Sequence, residues 1–386
     1  MPLILIARFV FSLLSLAILA VAAFCLWRWY DGIPARDAEG VVYCIREDWP
    51  LWVGLGAFAW SFIGGLILRP LIGSADKRPL KTSRSEGRMI TSPTGSSLYV
   101  ELHGDVGAPP IILTHGWGLD STIWAYAVED LADRFRVVTW DLPGMGRSKG
   151  EIDLKSFALD LRATIELVGE RPVVLVGHSI GGMTIQTLVR DDPKFVERHV
   201  AGIVLLNTTY TNPLRTMILS PLWRALRWPL IEPLMWLAIP LQPLLWLSAW
   251  QSYLSGSAHL ANRIGFGKRA PRSQLNATTL LGTRNSPGAQ ARGCLAMFRW
   301  DATGALAKIG VPVLAIGGAL DIVTKPQASR TIGESGANVR VIVVKDVNHM
   351  GFLEGYETYN DAIGTFATEA SKQGAERDPE PLPNAV

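Results

Sequence analysis

Cysteine, charge and histidines at metal-binding spacing are all scarce in this sequence. Its 386 residues include only three cysteines, too few for a disulfide framework or a cysteine-based metal cluster: Cys25, Cys44 and Cys294. Charged residues make up 18% of the chain and the formal net charge is +3, so charge alone predicts no nucleic-acid partner. The six histidines show no ligand spacing, and the sequence therefore predicts neither a metal site nor another cofactor.

Apolar residues, by contrast, are abundant and form two long runs near the N-terminus. They make up 48% of the chain, and the mean hydropathy is +0.21, which excludes a disordered chain and indicates a membrane segment. Residues 9–27 and 49–68 carry no charge, and a helix of about 20 residues crosses the roughly 30 Å hydrocarbon layer of a bilayer. We therefore expect a membrane anchor over residues 1–75 with two transmembrane helices. Cleavage of the first run as a signal peptide, at Ala20-Val21-Ala22, stays an alternative.

Basic residues around the two runs predict the orientation of the chain. Residues 28–48 contain three Lys or Arg, whereas residues 69–88 contain six. Because cytoplasmic flanks carry the excess of Lys and Arg, we expect everything after the second run in the cytoplasm of a two-span membrane protein. Residues 76–88 predict a short, solvated basic linker close to the lipid surface. Cys25 and Cys44 lie near or on the far side, where they could form a disulfide.

Residues 89–370 alternate short apolar runs with helical stretches. A hairpin is expected over residues 89–102, followed by buried strands at residues 111–114, 136–140, 173–176, 203–206, 313–316 and 339–344. Helices are expected at residues 121–133, 154–169, 180–190, 326–333 and 356–370. This alternation predicts an α/β fold with a mostly parallel sheet and helices on both faces, whose ligands bind at the carboxyl ends of the strands. The charged, Pro-rich residues 371–386 predict a disordered tail.

The segment GHSIGG at residues 177–182 carries the strongest chemical signal. It follows the apolar run PVVLV and precedes a predicted helix, so its G-x-S-x-G pattern predicts a sharp strand-to-helix turn with Ser179 at the tip. Gly177 and Gly181 are expected because a side chain at either position would collide with the neighbouring backbone. Such a turn exposes the serine hydroxyl above the sheet and directs the helix N-terminus towards a bound oxyanion.

Five segments in chain order carry a resemblance to a known family: HGWG at 115–118, DLPGMGRS at 141–148, GHSIGG at 177–182, GGALD at 317–321 and NHMGF at 348–352. Through them residues 89–370 resemble the α/β-hydrolase fold, whose triad follows the chain order Ser, acid, His. The resemblance implies Ser179 as the nucleophile, Asp321 as the acid and His349 as the base. In that chemistry the imidazole accepts the serine proton, and the carboxylate orients the imidazole.

The resemblance also implies an oxyanion hole. Its two donors are the backbone N–H groups of Trp117, in the loop after the first buried strand, and of Ile180, directly after the nucleophile. His115 and Gly116 belong to the supporting loop motif, and we expect His115 to brace that loop by hydrogen bonds.

Other residues compete for the roles of base and acid. The alternative base is His115 or His178. His178 occupies the variable position of the G-x-S-x-G turn, where the simpler interpretation is a residue that borders the pocket. Asp141 belongs to a loop-shaping turn, and Asp301 opens the segment that returns from an insertion. Either would act as the acid only if Asp321 pointed away.

That insertion, about residues 209–308, differs in composition from its surroundings. It lies where α/β-hydrolase-fold proteins carry a lid, its residues 222–250 contain five tryptophans, and residues 233–250 carry no charge. A third transmembrane helix is an alternative, but Pro240 and Pro243 would interrupt it. We expect broken helices that cover the active site and turn an apolar side towards the pocket or the bilayer.

Together these features predict a membrane-anchored serine hydrolase, esterase- or lipase-like, that cleaves carboxylic esters through an acyl-enzyme. The anchor and the apolar lid favour a lipid-derived ester such as a monoacylglycerol, with the bilayer as a partner. Thioesterase, amidase, C–C hydrolase and perhydrolase activities remain alternatives on the same triad, and a non-catalytic membrane adaptor is the alternative outside enzymes. Acyl-chain length and oligomeric state stay open.

Overall fold

The computed structural model describes residues 2–169 and 171–377. The strands are β1 Ile33–Arg36, β2 Val42–Ile45, β3 Gly87–Thr91, β4 Ser97–His103, β5 Pro110–Thr114, β6 Arg136–Trp140, β7 Val173–His178, β8 Val200–Leu206, β9 Val313–Gly318 and β10 Val339–Val344. The helices are α1 Pro2–Asp31, α2 Asp48–Ile72, α3 Ala125–Leu131, α4 Leu154–Val168, α5 Ile180–Asp191, α6 Pro193–His199, α7 Pro213–Thr216, α8 Ser220–Leu226, α9 Glu232–Ala238, α10 Gln242–Ser255, α11 Ser257–Arg263, α12 Arg272–Arg284, α13 Pro287–Met297, α14 Pro326–Gly333, α15 Gly351–Glu354 and α16 Tyr356–Arg377. Short 3-10 turns occur at Ser121–Trp124 and Leu306–Lys308, and a π-helical turn at Arg227–Ile231.

The two apolar runs form long helices that pack against each other. α1 has 30 residues and α2 has 25, and both are long and apolar enough to cross a membrane. The antiparallel hairpin of β1 and β2 connects them. Their packing is close, because a Cβ atom on Gly54 would lie 2.8 Å from Leu26. Both helices are longer than the uncharged runs, so that Arg8 and Arg28 lie within α1 near its two ends.

The suggested disulfide between Cys25 and Cys44 does not form. Cys25 is buried within α1, whereas Cys44 is exposed on β2, and both thiols are free. The helix buries the first thiol in packing, while the short hairpin holds the second one towards solvent, so the two sulfur atoms are not brought together.

The basic linker, expected to be solvated, packs instead against the sheet domain. Arg78 forms an ion pair with Asp130 at 2.8 Å, and Leu80 is buried. Arg84 forms an ion pair with Asp141 at 3.0 Å. Basic side chains that the sequence pattern assigned to the lipid surface thus form ion pairs with acidic groups of the sheet domain. In addition, β3 begins at residue 87, within the expected linker.

The predicted sheet is confirmed, with eight strands in the order β10-β9-β8-β7-β5-β6-β4-β3. β3 and β4 form the expected antiparallel hairpin, and β4 also pairs antiparallel with β6. All other neighbours are parallel. The carboxyl ends of β5, β7, β8 and β9 therefore lie along one edge of the sheet, which is where an α/β sheet binds ligands.

Helices cover both faces of this sheet, as the alternation of elements predicts. Successive strand residues point to opposite sides, so Ile112 and Leu175 join one apolar core with α4 and α5. Leu113 and Val176 join a second core with α3 and α16. Burial on both faces is the reason that these strands are continuous apolar runs.

Between β8 and β9 the insertion consists of helices α7 to α13. The pair formed by residues 220–238 and α10 is bent by 95°, and the break includes Pro240, one of the two prolines that argue against a straight span. The insertion contacts the helical hairpin directly. Ser12 Oγ lies 2.5 Å from Ser248 Oγ, and Ser15 Oγ lies 2.6 Å from Ser255 Oγ. α1 therefore packs directly against α10 of the insertion.

The first residues of the expected disordered tail, 371–377, are helical. α16 continues through Arg377, and Ala370 is buried in it. Within the predicted tail, Gly374 is buried and packs on β8, since a Cβ atom there would lie 3.0 Å from Ala201. The remainder of the predicted tail, residues 378–386, lies outside the described residues.

Candidate active site

Ser179 lies at a strained turn between β7 and α5. Its φ is +54°, a backbone conformation that residues with a side chain rarely adopt. The flanking glycines explain how the turn closes. A Cβ atom on Gly181 would lie 2.2 Å from the carbonyl oxygen of Thr114, and one on Gly177 would lie 2.5 Å from the backbone of Gly181. Both glycines are therefore required by contact with backbone, as the G-x-S-x-G pattern predicts.

His349 and Asp321 meet although 28 residues separate them in the chain. Asp321 follows β9 and His349 follows β10, the strand that pairs with β9 at the edge of the sheet. The imidazole Nδ1 lies 3.0 Å from the Asp321 Oδ2 atom, and both side chains are fully buried. This contact assigns the proton to Nδ1 and leaves Nε2 as the basic nitrogen.

The Asp321 carboxylate accepts hydrogen bonds on both oxygen atoms. The backbone N–H groups of Val323 and Thr324 donate to Oδ1, each at 2.8 Å. The Thr324 hydroxyl and the Asn207 amide donate to Oδ2 at 2.8 and 3.0 Å. Burial by itself raises the pKa of Asp321, but His349 and these donors outweigh burial and hold the pKa below its ordinary value. The carboxylate is consequently ionised and can orient an imidazolium.

Asn207 is a positioning residue that the sequence motifs missed. It follows β8, and its φ is +43°. Besides Asp321, its Nδ2 donates to the backbone carbonyl of Asn348 at 3.0 Å, and its Oδ1 accepts from the Tyr359 hydroxyl at 2.9 Å. The only signal in the sequence is its place directly after a predicted buried strand, where this fold gathers polar groups.

Glu354 is a second group without a motif, and it holds the loop that carries the histidine. Its carboxyl accepts from the backbone N–H of Asn348 at 2.9 Å and from that of Gly267 at 2.6 Å. Burial raises the pKa of Glu354 to about 7 despite these donors. The loop between β10 and α16 is thus attached to the insertion through a carboxyl that titrates near neutral pH.

His115 and Gly116 shape the loop that leads to Trp117. His115 Nδ1 donates to the Gly116 carbonyl at 2.9 Å, and its Nε2 accepts from the Leu142 backbone N–H at 2.9 Å. Burial lowers the pKa of His115, so that the ring is neutral. Both nitrogens bind backbone, an arrangement that agrees with a bracing role and leaves neither nitrogen for proton transfer. A Cβ atom on Gly116 would lie 2.4 Å from the His178 ring, which places these two loops in contact.

His178 contacts the candidate base through the backbone. Its Nε2 donates to the His349 carbonyl at 3.0 Å, and its ring centroid lies 4.4 Å from that of Phe352. Burial holds the pKa of His178 well below its ordinary value. A neutral ring that donates to a backbone carbonyl supports the position of His349 rather than replacing it as the base.

The two competing carboxylates have other partners. Asp141 accepts from the Ser121 and Arg147 backbone N–H groups, each at 2.8 Å. Asp301 Oδ2 accepts from the Thr211 hydroxyl at 2.5 Å. Both carboxylates therefore hold loops, while Asp321 faces the imidazole. Among the residues that the structure describes, no group of three His, Cys, Asp or Glu could hold a metal ion.

The candidate oxyanion donors lie on either side of this site. Trp117 follows β5 in the loop that His115 braces, and Ile180 is the first residue of α5. The first N–H groups of a helix have no partner within the helix, and they carry its positive dipole end. Trp117 is anchored by its indole, whose N–H donates to the Gln290 carbonyl of α13 at 3.0 Å.

Two spaces separate the site from α1. A mostly apolar cavity of about 260 Å³ lies between α1 and the insertion, with walls that include Leu5, Phe9, Leu230 and Leu234. A crevice of about 30 Å³ adjoins it and is lined by Trp117 and Met350 from the site and by Ile4, Leu5 and Arg8 from α1. The first turns of α1 therefore line both spaces, and the crevice reaches Trp117 and Met350, which adjoin the candidate site.

Residues 111–362 match the model of the alpha/beta hydrolase family, and the chain belongs to this family. The match begins after both apolar helices. The chain is 26% identical over 284 residues to a pimeloyl-[acyl-carrier protein] methyl ester esterase of Nitrosospira multiformis, covering 70% of this chain and 98% of that one. It is also 26% identical over 282 residues to the protein of the same name from Vibrio atlanticus, with the same coverage.

Solved structures share the fold of this chain. An esterase from Exiguobacterium antarcticum superposes with a TM-score of 0.60 at 20% identity, covering 73% of this chain and all of that one. A hydrolase from Pseudomonas aeruginosa superposes with a TM-score of 0.59 at 21% identity, covering 74% and 99%. The chain is thus an enzyme of the alpha/beta hydrolase class, and the two relatives named above are esterases.

Proposed function

We propose that the protein is a membrane-anchored serine esterase that cleaves lipid-derived carboxylic esters through an acyl-enzyme intermediate. Its reacting groups are Ser179, His349 and Asp321. The contact between His349 Nδ1 and Asp321 Oδ2, at 3.0 Å along the edge of the sheet that carries Ser179, is the observation on which the proposal rests.

In this mechanism His349 accepts the proton of Ser179 as the hydroxyl attacks the ester carbonyl. It then delivers that proton to the leaving alcohol, and in the second half it activates a water molecule that releases the acid. Asp321 stabilises the imidazolium that forms in each half. The ionised state of Asp321, with its lowered pKa, supports this role.

The tetrahedral oxyanion receives the backbone N–H groups of Trp117 and Ile180. Loss of one such donor costs on the order of 3 kcal/mol of transition-state stabilisation. The left-handed turn at Ser179 presents the hydroxyl beside the N-terminus of α5, which supports this assignment.

A lipid-derived substrate is supported by the surroundings of the site. The apolar cavity between α1 and the insertion suits an acyl chain. The insertion also exposes large apolar side chains on its outer side, among them Trp228 at 73% and Leu247 at 70%. Such a surface next to two candidate spans fits contact with the bilayer. We propose that residues after α2, including the hydrolase domain, face the cytoplasm, because of the basic residues that follow the second span.

A fluorophosphonate probe tests the nucleophile. We expect the full chain in dodecyl maltoside micelles to be labelled, and the Ser179→Ala and His349→Ala variants to lose labelling and to lose ester hydrolysis by about 10⁴-fold or more. Labelling of Ser179→Ala at the level of the native chain would overturn the assignment. An unlabelled, folded native chain would favour the non-catalytic adaptor.

A pair of esters tests the lipid part of the proposal. We expect kcat/KM for p-nitrophenyl dodecanoate to exceed that for p-nitrophenyl acetate by at least about tenfold, because each buried CH₂ group contributes about 0.8 kcal/mol. A preference for the acetate ester that micelles do not change contradicts a lipid substrate but leaves the esterase intact.

A further inference from the structure

Arg8 is a cation without an acidic partner among the described residues, and it lines the crevice that contains Trp117. It lies in α1, directly before the uncharged residues 9–27. Its Nη2 donates to the Thr283 hydroxyl of α12 at 3.0 Å, and no ion pair joins it to any residue of the described ranges 2–169 and 171–377. Its Nη1 packs closely on Gly282, because a Cβ atom there would lie 1.9 Å from Nη1.

The guanidinium borders both spaces between α1 and the hydrolase domain. Arg8 lines the crevice that contains Trp117 and Met350, the neighbour of His349, and it also lines the apolar cavity. Three other residues, Leu5, Gly282 and Gln290, line both spaces as well. Arg8 is therefore placed where the crevice beside Trp117 and Met350 meets the apolar cavity proposed for the acyl chain.

A guanidinium in these surroundings is suited to an anion. It has five N–H donors in a planar fork that matches a phosphate or a carboxylate. A charge with one neutral hydroxyl partner beside apolar walls lacks the compensation that a carboxylate gives to other arginines of this chain, such as Arg84. An anionic oxygen in the crevice would supply that compensation and would bind by charge-assisted hydrogen bonds.

We infer that Arg8 binds the anionic group of an amphiphilic lipid ester, a phosphate or a carboxylate, whose acyl chain occupies the apolar cavity and whose ester carbonyl reaches Ser179. The inference rests on the proposed function and makes it narrower. A membrane helix, outside the residues that match the family model, then supplies a specificity-determining group. The helix that anchors the enzyme would then also bind the anionic headgroup of the substrate.

Protection of Ser179 against a fluorophosphonate probe tests this inference with defined ligands. In dodecyl maltoside micelles, we expect dodecyl phosphate to protect the native chain at about tenfold lower concentration than dodecanol, since a charge-assisted pair contributes about 1.5–3 kcal/mol. The same measurement with dodecanoate shows whether the site prefers a carboxylate or a phosphate, because the preferred anion protects at the lower concentration. Inorganic phosphate should not protect at these concentrations, and equal protection by it would overturn the requirement for a lipid.

Matched variants identify the residue. Arg8→Gln should abolish the advantage of dodecyl phosphate over dodecanol, and Arg8→Lys should retain part of it. Arg28→Gln removes the same charge near the other end of α1, where Arg28 Nη1 donates to the Gly32 carbonyl, and should leave the advantage unchanged. An advantage that persists in Arg8→Gln, or that Arg28→Gln removes equally, contradicts the inference.

A third variant acts without a change of charge. Gly282→Ala places a methyl group where Nη1 now lies and should displace the guanidinium, so we expect it to reduce the advantage of dodecyl phosphate although the cation itself is retained. Unchanged discrimination in Gly282→Ala would count against the site. The outcomes are separable from the proposed function: an unlabelled Ser179 defeats the esterase, whereas a labelled Ser179 with no anion discrimination defeats the role of Arg8 alone.

Discussion

The carboxyl edge of the sheet meets the crevice beside α1 at Trp117. We call this crevice and the adjoining apolar cavity the cleft. The sheet edge and the cleft differ in how their charged groups are hydrogen-bonded. At the sheet edge, both oxygens of the Asp321 carboxylate have donors, and His349 is held against it. In the cleft, Arg8 has one neutral hydroxyl partner and lies beside a mostly apolar cavity. The candidate catalytic groups at the edge are thus held in place by hydrogen bonds, whereas the Arg8 guanidinium has no carboxylate partner among the described residues.

The sheet edge does not tolerate an added methyl group, in contrast to an open position of α2. Gly181→Ala places a Cβ atom 2.2 Å from the Thr114 carbonyl, so the turn must shift, and a displacement of about 1 Å lowers activity by about 100-fold. Gly56→Ala in α2 meets nothing within 4 Å and should leave activity unchanged. Ester hydrolysis and thermal unfolding of the two variants provide the comparison, and equal losses would refute it.

Arg84 and Arg8 differ in whether a carboxylate pairs with the guanidinium. Arg84→Gln leaves the buried Asp141 and its neighbour Asp120 without their cation and should lower the free energy of unfolding by about 3 kcal/mol. Arg8→Gln removes a cation without an acidic partner among the described residues and should change that free energy by less than about 0.5 kcal/mol. Denaturant titration in micelles measures both, and a larger loss for Arg8→Gln contradicts the contrast.

Asn207 sharpens the picture of the sheet edge. Asn207→Leu removes the amide that donates to Asp321 and to the Asn348 carbonyl. We expect kcat to fall about tenfold and KM to change less than about twofold, because Asn207 acts through Asp321. Asn338→Leu is the control: this amide donates to the Ile309 carbonyl at 3.1 Å and to Val311, away from the site. It should lower stability and leave kcat unchanged.

Glu354 gives an effect of another kind, a dependence of the free energy of unfolding on pH. Its pKa is about 7 in the folded chain against an ordinary value of 4.5, so folding favours the neutral carboxyl. The stability that this preference contributes is fully present below about pH 4.5 and is lost as the pH rises through about 7. Glu354→Gln should flatten the decline of the free energy of unfolding across this window. Identical slopes for the native chain and the variant would exclude Glu354 as the cause.

Much of the fold follows from local patterns. The runs around residues 111–114 and 173–176 became β5 and β7, because strands buried on both faces must be continuously apolar. The glycines around Ser179 could also be predicted, since the contact they relieve lies within the turn and with the adjacent strand. The linker and the end of α16 could not, because charge density alone does not reveal which acidic or apolar surface lies nearby.

The amino-acid sequence by itself determined the class of the enzyme, since a β-branched strand followed by G-x-S-x-G dictates the turn that carries Ser179. It also determined that two helices are apolar enough to span a membrane, because composition and length decide that property. Only the tertiary structure decided that Asn207 and Glu354 hold the loops of the candidate triad and that Arg8 lines the crevice beside Trp117 and Met350. These contacts join residues more than 80 positions apart, and no local pattern records which distant segments packing will bring together.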